Sequence, residues 1–308
     1  MTTDAHHSPG AAPYVRDLGP HTSVYVGADG GRYPAGNSLV VRGRDGALIV
    51  DPSTSLHLLP APEGITHVLL THAHEDHVAG VHLFPDAAVH VHHDDLLGVR
   101  SLDGLMQIYG MAPAADAAFR EIVVRDFTYA PRPDATGLAD GDVIDLGGVT
   151  VRLVHLPGHT RGHSGVLVEP DGVFVTGDID LSAFGPYYGD EWSSLDAFEA
   201  SLARARTIDT RWYVTFHHKG VVDGRDEYVR QLDAFTAVIA SRESAMVAHL
   251  TGRECTVDDL AAVRFVYRPH VTLPFVTTVE RRSAAMSLTR LVAAGRVREV
   301  TPGRFTAA

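Results

Sequence analysis

Between His72 and His77 the chain reads His-Ala-His-Glu-Asp-His, directly after the apolar run Ile65 to Leu70. The run reads as a buried strand that ends where the polar cluster begins. Alternate side chains share a face along extended backbone, so His72 and His74 point the same way. The turn beyond them re-aims Asp76 and His77 toward a second position. Three imidazoles and the carboxylate of Asp76 this close are costly to bury unless a cation orders them. The competing reading, a solvated surface cluster, leaves the strand without a reason to end in ligands. Imidazole and carboxylate donors with no thiolate suit zinc first, and manganese or iron next.

The rest of the 308-residue composition removes rival chemistries. Cys255 is the single cysteine, which excludes an intrachain disulfide and any multi-cysteine zinc or iron-sulfur site. Lys219 is the single lysine and Gly220 follows it, so there is no Gly-Lys-Ser/Thr phosphate loop, and Schiff-base chemistry would fall to that one residue. Against these shortages stand 19 histidines. Residues 1 to 10 carry no apolar segment of an export signal, and no run of roughly 18 apolar residues occurs. The expectation is a cytoplasmic enzyme with no membrane partner. A net charge of -12 argues against general nucleic-acid binding. From Cys255 onward, however, eight arginines face four acids, a net of +4.

Strands are expected at Ser23 to Val26, Ser38 to Val41, Ala47 to Val50 and Ala87 to His92, with a short helix over Asp76 to Leu83. The second half repeats strands at Val143 to Leu146, Val149 to His155, Gly165 to Glu169, Val173 to Thr176 and Trp212 to Phe216. Helical periodicity covers Trp192 to Ala205 and Asp226 to Leu250, with a break near Ser241. Between the halves, residues 94 to 142 are less regular. Leu96, Leu102, Leu105, Met106, Ile108, Tyr109 and Met111 there form either a mobile cover or plain core. Together these elements predict two sheets packed together and covered by helices. A boundary falls near Thr251-Gly252, dividing a domain at 1–251 from a segment at 252–308. Thr256 with Asp259 caps a helix over Val257 to Val263. A longer helix spans Val276 to Ala294 with Gly295 as its stop, and a hairpin closes the chain. Helix, helix, hairpin is the order of a winged-helix module.

The His72 to His77 cluster fits the His-x-His-x-Asp-His signature of the metallo-β-lactamase superfamily, and further matches follow in order over residues 23 to 222. Leu156-Pro157-Gly158-His159-Thr160 resembles that family's next metal-binding loop. Val175-Thr176-Gly177-Asp178 resembles its strand-end Gly-Asp, Ile49-Val50-Asp51 its early strand, and Tyr213 to His217 its last ligand strand. The resemblance implies a four-layer αββα sandwich with a small winged-helix-like appendage, and two divalent metal ions. His72, His74 and His159 would hold the first ion. Asp76, His77 and a histidine of Thr215-Phe216-His217-His218 would hold the second, with Asp178 bridging. The last ligand is His217 counted from the strand, or His218 counted back from Gly220-Val221. Two such ions can share a hydroxide at neutral pH, and Asp76, with a free oxygen, is the candidate to carry its proton.

Other tempting residues have plainer readings. Gly162-His163-Ser164-Gly165-Val166 lacks the last glycine of a nucleophile elbow, and His163 is expected to orient His159. Asp51 is expected to support a ligand, Asp180 to be solvated or capping, and His90, His92 and His93 to belong to a strand end. The His6-His7 pair is read as disordered. Phe184 to Tyr188 either packs as a loop or presents a tyrosine hydroxyl to substrate.

Members of the family that act on β-lactams lack the bridging aspartate, so Asp178 points elsewhere. A metallo-β-lactamase domain with a winged-helix-like tail resembles a branch holding acyl-carrier thioesterases and endoribonucleases. The first expectation is hydrolysis of a thioester or ester of a small organic acid. A second is RNA cleavage, with Arg281, Arg282, Arg290, Arg296 and Arg298 tracking phosphates. A third is a non-catalytic metal-dependent sensor, with the tail as a docking or dimerisation module.

Overall fold

The computed structural model describes residues 11–308, so the His6-His7 pair lies outside the described residues. Its first sheet has seven strands in chain order: β1 (Tyr14–Asp17), β2 (Thr22–Val26), β3 (Ser38–Arg42), β4 (Ala47–Val50), β5 (His67–Leu69), β6 (Ala88–His92) and β7 (Thr136–Leu138). The first four pair antiparallel, and β4 to β7 run parallel. Between β6 and β7 lie α1 (Leu96–Arg100), α2 (Leu102–Tyr109) and α3 (Pro113–Asp126).

The second sheet is built from β8 (Val143–Asp145), β9 (Thr150–His155), β10 (Ser164–Glu169), β11 (Val173–Val175), β12 (Trp212–Val214) and β13 (Val221–Asp223), in spatial order β13-β12-β11-β10-β9-β8. Its outer face carries α4 (Leu195–Arg206) and α5 (Arg225–Leu250). Alternation along each strand assigns its two faces. In the β4–β5 region Leu48, Val50 and Leu69 point into the core between the sheets, while Ile49, Val68 and Leu70 meet the helices of the first half. The order of layers is therefore helix, sheet, sheet, helix.

Two expected helical features differ. Asp76 to Leu83 is a chain of turns with one 3-10 turn at Val81–Leu83. Gly80 donates to the Pro52 carbonyl at 2.6 Å, and a side chain there would meet that same backbone. The close approach replaces regular helix and lets successive side chains point different ways. The long helix α5 runs through Ser241 unbroken, its buried stripe from Tyr228 to Leu250 continuing across that turn through the charged pair Arg242 and Glu243. In the region from 94 to 142, Leu105, Met106, Ile108 and Tyr109 are buried in the core beneath the first sheet.

The last segment holds α6 (Val257–Val263), α7 (Val276–Ala293) and the hairpin β14 (Val297–Thr301) with β15 (Arg304–Ala307). Thr256 and Asp259 form the reciprocal capping box, and Gly295 follows α7 in the left-handed region. The segment shares one core with the end of α5, through Met246 and Leu250. Phe275, Val276 and Val279 join a second core, the one formed by α2 and α3. Among the described residues no helix is long and apolar enough to cross a membrane.

Candidate metal centre

The loops at one end of the two sheets bring together residues 72 to 77, 159, 178 and 217. His72, His74, His159 and Asp178 form one group of donors, and Asp76, His77 and His217 a second. Within the first, His159 Nε2 lies 3.1 Å from His72 Nε2 and 3.0 Å from His74 Nδ1. Asp178 reaches both groups: Oδ1 is 2.9 Å from His77 Nε2, and Oδ2 is 3.3 Å from His159 Nε2. Asp76 Oδ2 stands 3.0 Å from His217 Nε2. His218 turns away on left-handed backbone, φ 64°, and faces Asp180 at 3.7 Å.

Tautomers show what these donors fit. His159 Nδ1 lies 3.0 Å from the Tyr187 carbonyl, and His217 Nδ1 lies 2.9 Å from that of Gly31. A carbonyl only accepts, so each Nδ1 carries a proton, and in the neutral ring Nε2 turns its lone pair inward. Lone pairs and carboxylate oxygens that converge in a buried space repel one another, and a divalent cation resolves the repulsion. Without one, protons serve. Asp190 lifts His74 to about 9 against the effect of burial, and Asp76 does the same for His217. Burial and the neighbouring imidazoles hold His72 well below its usual range. Asp178 lies well below the carboxylate range, held there against burial by His77 and His159.

The supporting shell is denser than the motif alone indicates. Asp51 Oδ2 stands 3.0 Å from His77 Nδ1 while its carboxylate accepts from the Thr71 amide and hydroxyl. His163 meets His159 ring to ring, centroids 5.4 Å apart, but bonds elsewhere. Its Nδ1 donates to the Leu156 carbonyl, and its Nε2 accepts from the Asp178 amide, fixing the backbone of the residue between the two groups. Asp180 lines the pocket and accepts from the Ser182 amide at 2.8 Å; burial raises it to about 6. It caps a turn at the pocket wall.

Sequence patterns missed three carboxylates. Asp190 Oδ2 lies 3.0 Å from His74 Nε2, and neither atom has another partner among the described residues. Asp95 accepts from the Ala73 and Gly162 amides and the Thr160 hydroxyl, tying two ligand loops together. Glu75 accepts from the Tyr33 and Tyr109 hydroxyls. Only Glu75 had a local signal, its place inside the cluster. The Phe184 to Tyr188 loop packs: Tyr188 is core, and Tyr187, whose ring lines the pocket, has its hydroxyl on Asp190. His92, His93 and Asp94 form a third potential donor group at the end of β6, with His93 and Asp94 exposed.

Two buried donor groups joined by one carboxylate, at the loop end of a double-sheet sandwich, define a metal-dependent hydrolase. The chain belongs to the metallo-beta-lactamase superfamily, whose family model matches residues 31–227. It is 31% identical over 198 residues to a hydroxyacylglutathione hydrolase of Acidiphilium cryptum, covering 63% of this chain and 68% of that one. It is 29% identical over 180 residues to an atrochrysone carboxyl ACP thioesterase of Pseudocercospora fijiensis, where the match spans 54% of this chain and less than half, 44%, of the relative. Among solved structures, a metallo-beta-lactamase family protein of Thermus thermophilus superposes with a TM-score of 0.70 at 21% identity, over 95% of this chain and 100% of that one.

Proposed function

We propose that the protein is a two-metal hydrolase of thioesters or esters whose acyl group is uncharged and apolar. The observation that carries this reading is the pocket beside the donors. Its walls include Tyr33, Tyr109, Phe184, Tyr187, Leu273 and Phe275, and among the described residues no lysine or arginine lines it. Such walls bury a hydrocarbon or an aromatic ring and offer no cation to a phosphate or carboxylate. The first relative's name joins a hydroxyacyl group to glutathione, and these walls suit a more apolar acyl group. The second relative's name, an ACP thioesterase, agrees with a thioester substrate.

We assign His72, His74 and His159 to one divalent ion and Asp76, His77 and His217 to the other, with Asp178 between them; zinc suits this donor set first. Bound there, such ions bring a water to hydroxide near neutral pH and polarise the acyl carbonyl. The chain supplies the rest. His163 and Asp51 hold Asp178 and His77 in place. Asp76 keeps a second carboxylate oxygen with which to take the proton of the attacking water and return it to the departing thiolate or alkoxide. The aromatic walls keep bulk water from the acyl group.

Three of the five tail arginines weigh against RNA cleavage. Arg281 pairs with Asp258 at 2.9 Å, and Arg290 with Glu199 at 2.8 Å and Glu243 at 3.2 Å. Arg282 is held by Glu191 and the carbonyls of Tyr109 and Gly110. Arginines already neutralised within the chain release few counterions on a phosphate backbone. The test is a panel of acyl thioesters, lactones, an activated phosphodiester and single-stranded RNA, run with metal-loaded and chelated protein. Turnover of apolar acyl thioesters that chelation abolishes is expected. Turnover of phosphodiesters alone would overturn the reading, and metal and ligand binding with no turnover would mark a sensor. Asp76→Asn is expected to lower kcat about 100-fold or more with both metals retained.

A further inference from the structure

The wall of the pocket farthest along the chain comes from the last segment. Tyr267, Leu273 and Phe275 all line it, and they sit in the connection between α6 and α7. A loop over a substrate pocket needs something to hold its shape, and here the anchor is a side chain of α7. Glu280, only 2% exposed, accepts from three consecutive amides: Phe265 at 2.9 Å, Val266 at 3.1 Å and Tyr267 at 2.5 Å. Successive amides turned to one point form an anion-binding concavity, and in this protein the anion is the chain's own carboxylate.

A buried cation acts on the adjoining part of the wall. The Arg242 guanidinium, on α5, donates to the carbonyls of Phe184 and Pro186, each at 2.5 Å. The ring of Phe184 stands 5.4 Å from that of Tyr267. An anion thus grips one part of the aromatic wall by its amides, and a cation grips the other by its carbonyls. Both bonds are charge-assisted, stronger than the neutral contacts of an ordinary loop. Neither side chain is among the pocket-lining residues.

We propose that Glu280 and Arg242 are positioning residues that set selectivity for the bulk of the acyl group by fixing Tyr267 and Phe184 as one packed aromatic wall. The proposal rests on the hydrolase reading above for its substrate. It makes the last segment part of the specificity apparatus, acting through Tyr267.

The test uses metal-loaded full-length protein and the N-acetylcysteamine thioesters of acetate, hexanoate and benzoate. In Glu280→Gln and in Arg242→Lys, the ratio of kcat/KM for benzoyl to that for acetyl is expected to fall about tenfold, with the loss in KM and the metal content retained. Tyr267→Ala should shift the same ratio, and Glu280→Gln/Tyr267→Ala should shift it no further than Tyr267→Ala. An equal fall for all three acyl groups, or an unmoved ratio in Tyr267→Ala, overturns the proposal. If Glu280→Gln fails to fold, Tyr267→Ala and Arg242→Lys still decide it. If the wild-type protein cleaves none of the three thioesters, the hydrolase reading fails separately. Affinities for the matching non-hydrolysable thioethers then carry the comparison, and equal loss for benzoyl and acetyl analogues overturns the proposal. Amide hydrogen exchange reads the anchor directly. The amides of 265 to 267 should exchange about tenfold faster in Glu280→Gln, and unchanged protection would remove Glu280 from its role.

Discussion

At the scale of single residues, the centre stores protons where it is built for cations. With His74 and His217 both lifted to about 9, each is charged at pH 7.5 in metal-free protein and must lose its proton to become a ligand. Zinc binding at pH 7.5 is therefore expected to release about two protons or more, measurable by calorimetry in buffers of different ionisation enthalpy. Release should shrink as pH rises above 9, and its absence would mean that these histidines are already neutral. Asp190 is the outward partner of His74, so Asp190→Ala should weaken metal binding about 10- to 100-fold, read by competition with a chromophoric chelator. The motif around His72 was legible because its donors are neighbours in sequence and their alternation follows from backbone geometry. Asp190 was not, because it comes to His74 from 116 positions away, on a loop with no repeating pattern.

At the scale of elements, the ligand loops are held to one another as firmly as to the sheets. Asp95 links the loop after β5 to the loop after β9, and removing its carboxylate strands two buried amides and a hydroxyl. Asp95→Ala should cost about 3 kcal/mol or more of stability in metal-loaded protein, seen as a lower urea midpoint with an unchanged slope. A milder loss is expected for Asp95→Asn, which keeps one acceptor. Strand β6 carries an acid sensitivity of its own. Burial and the adjacent His67 depress His90 to about 4 from an ordinary 6.5, so its neutral form is the one folding favours. That contribution is complete above pH 6.5 and is lost as pH falls toward 4. The urea midpoint should therefore drop less between pH 7 and pH 5 in His90→Gln than in the wild type. Longer strands and the capping box at Thr256 were readable from alternation and local chemistry. The three-residue strands β7 and β13 were not, since they owe their pairing to neighbours already in place. The turns from Asp76 to Leu83 defeated periodicity because the backbone there obeys the close approach to Pro52.

At the scale of the whole molecule, the last segment is structural cement as well as pocket wall. Phe275, Val276 and Val279 complete the core of the first helical layer, and Ser283 donates to the Tyr188 carbonyl beneath the pocket. Truncation after Thr251 is therefore expected to leave a chain that melts without a cooperative transition, followed by circular dichroism. A truncated chain with the wild-type melting profile would show that the first 251 residues stand alone. The amphipathic pattern of α7 announced a helix, but which faces it covers depended on partners as far as 173 residues earlier.

The order of these pieces along the chain also has a meaning in time. Every metal donor has been synthesised once His217 is made, whereas Tyr267 follows 50 residues later and Glu280 later still. Because Phe275, Val276 and Val279 complete the core of the first helical layer, a growing chain holds all of these donors before it holds the core that sets them in place. The ligands come first and the core that assembles them comes last, so a ribosome stalled between the two would display a full set of donors with no centre yet built.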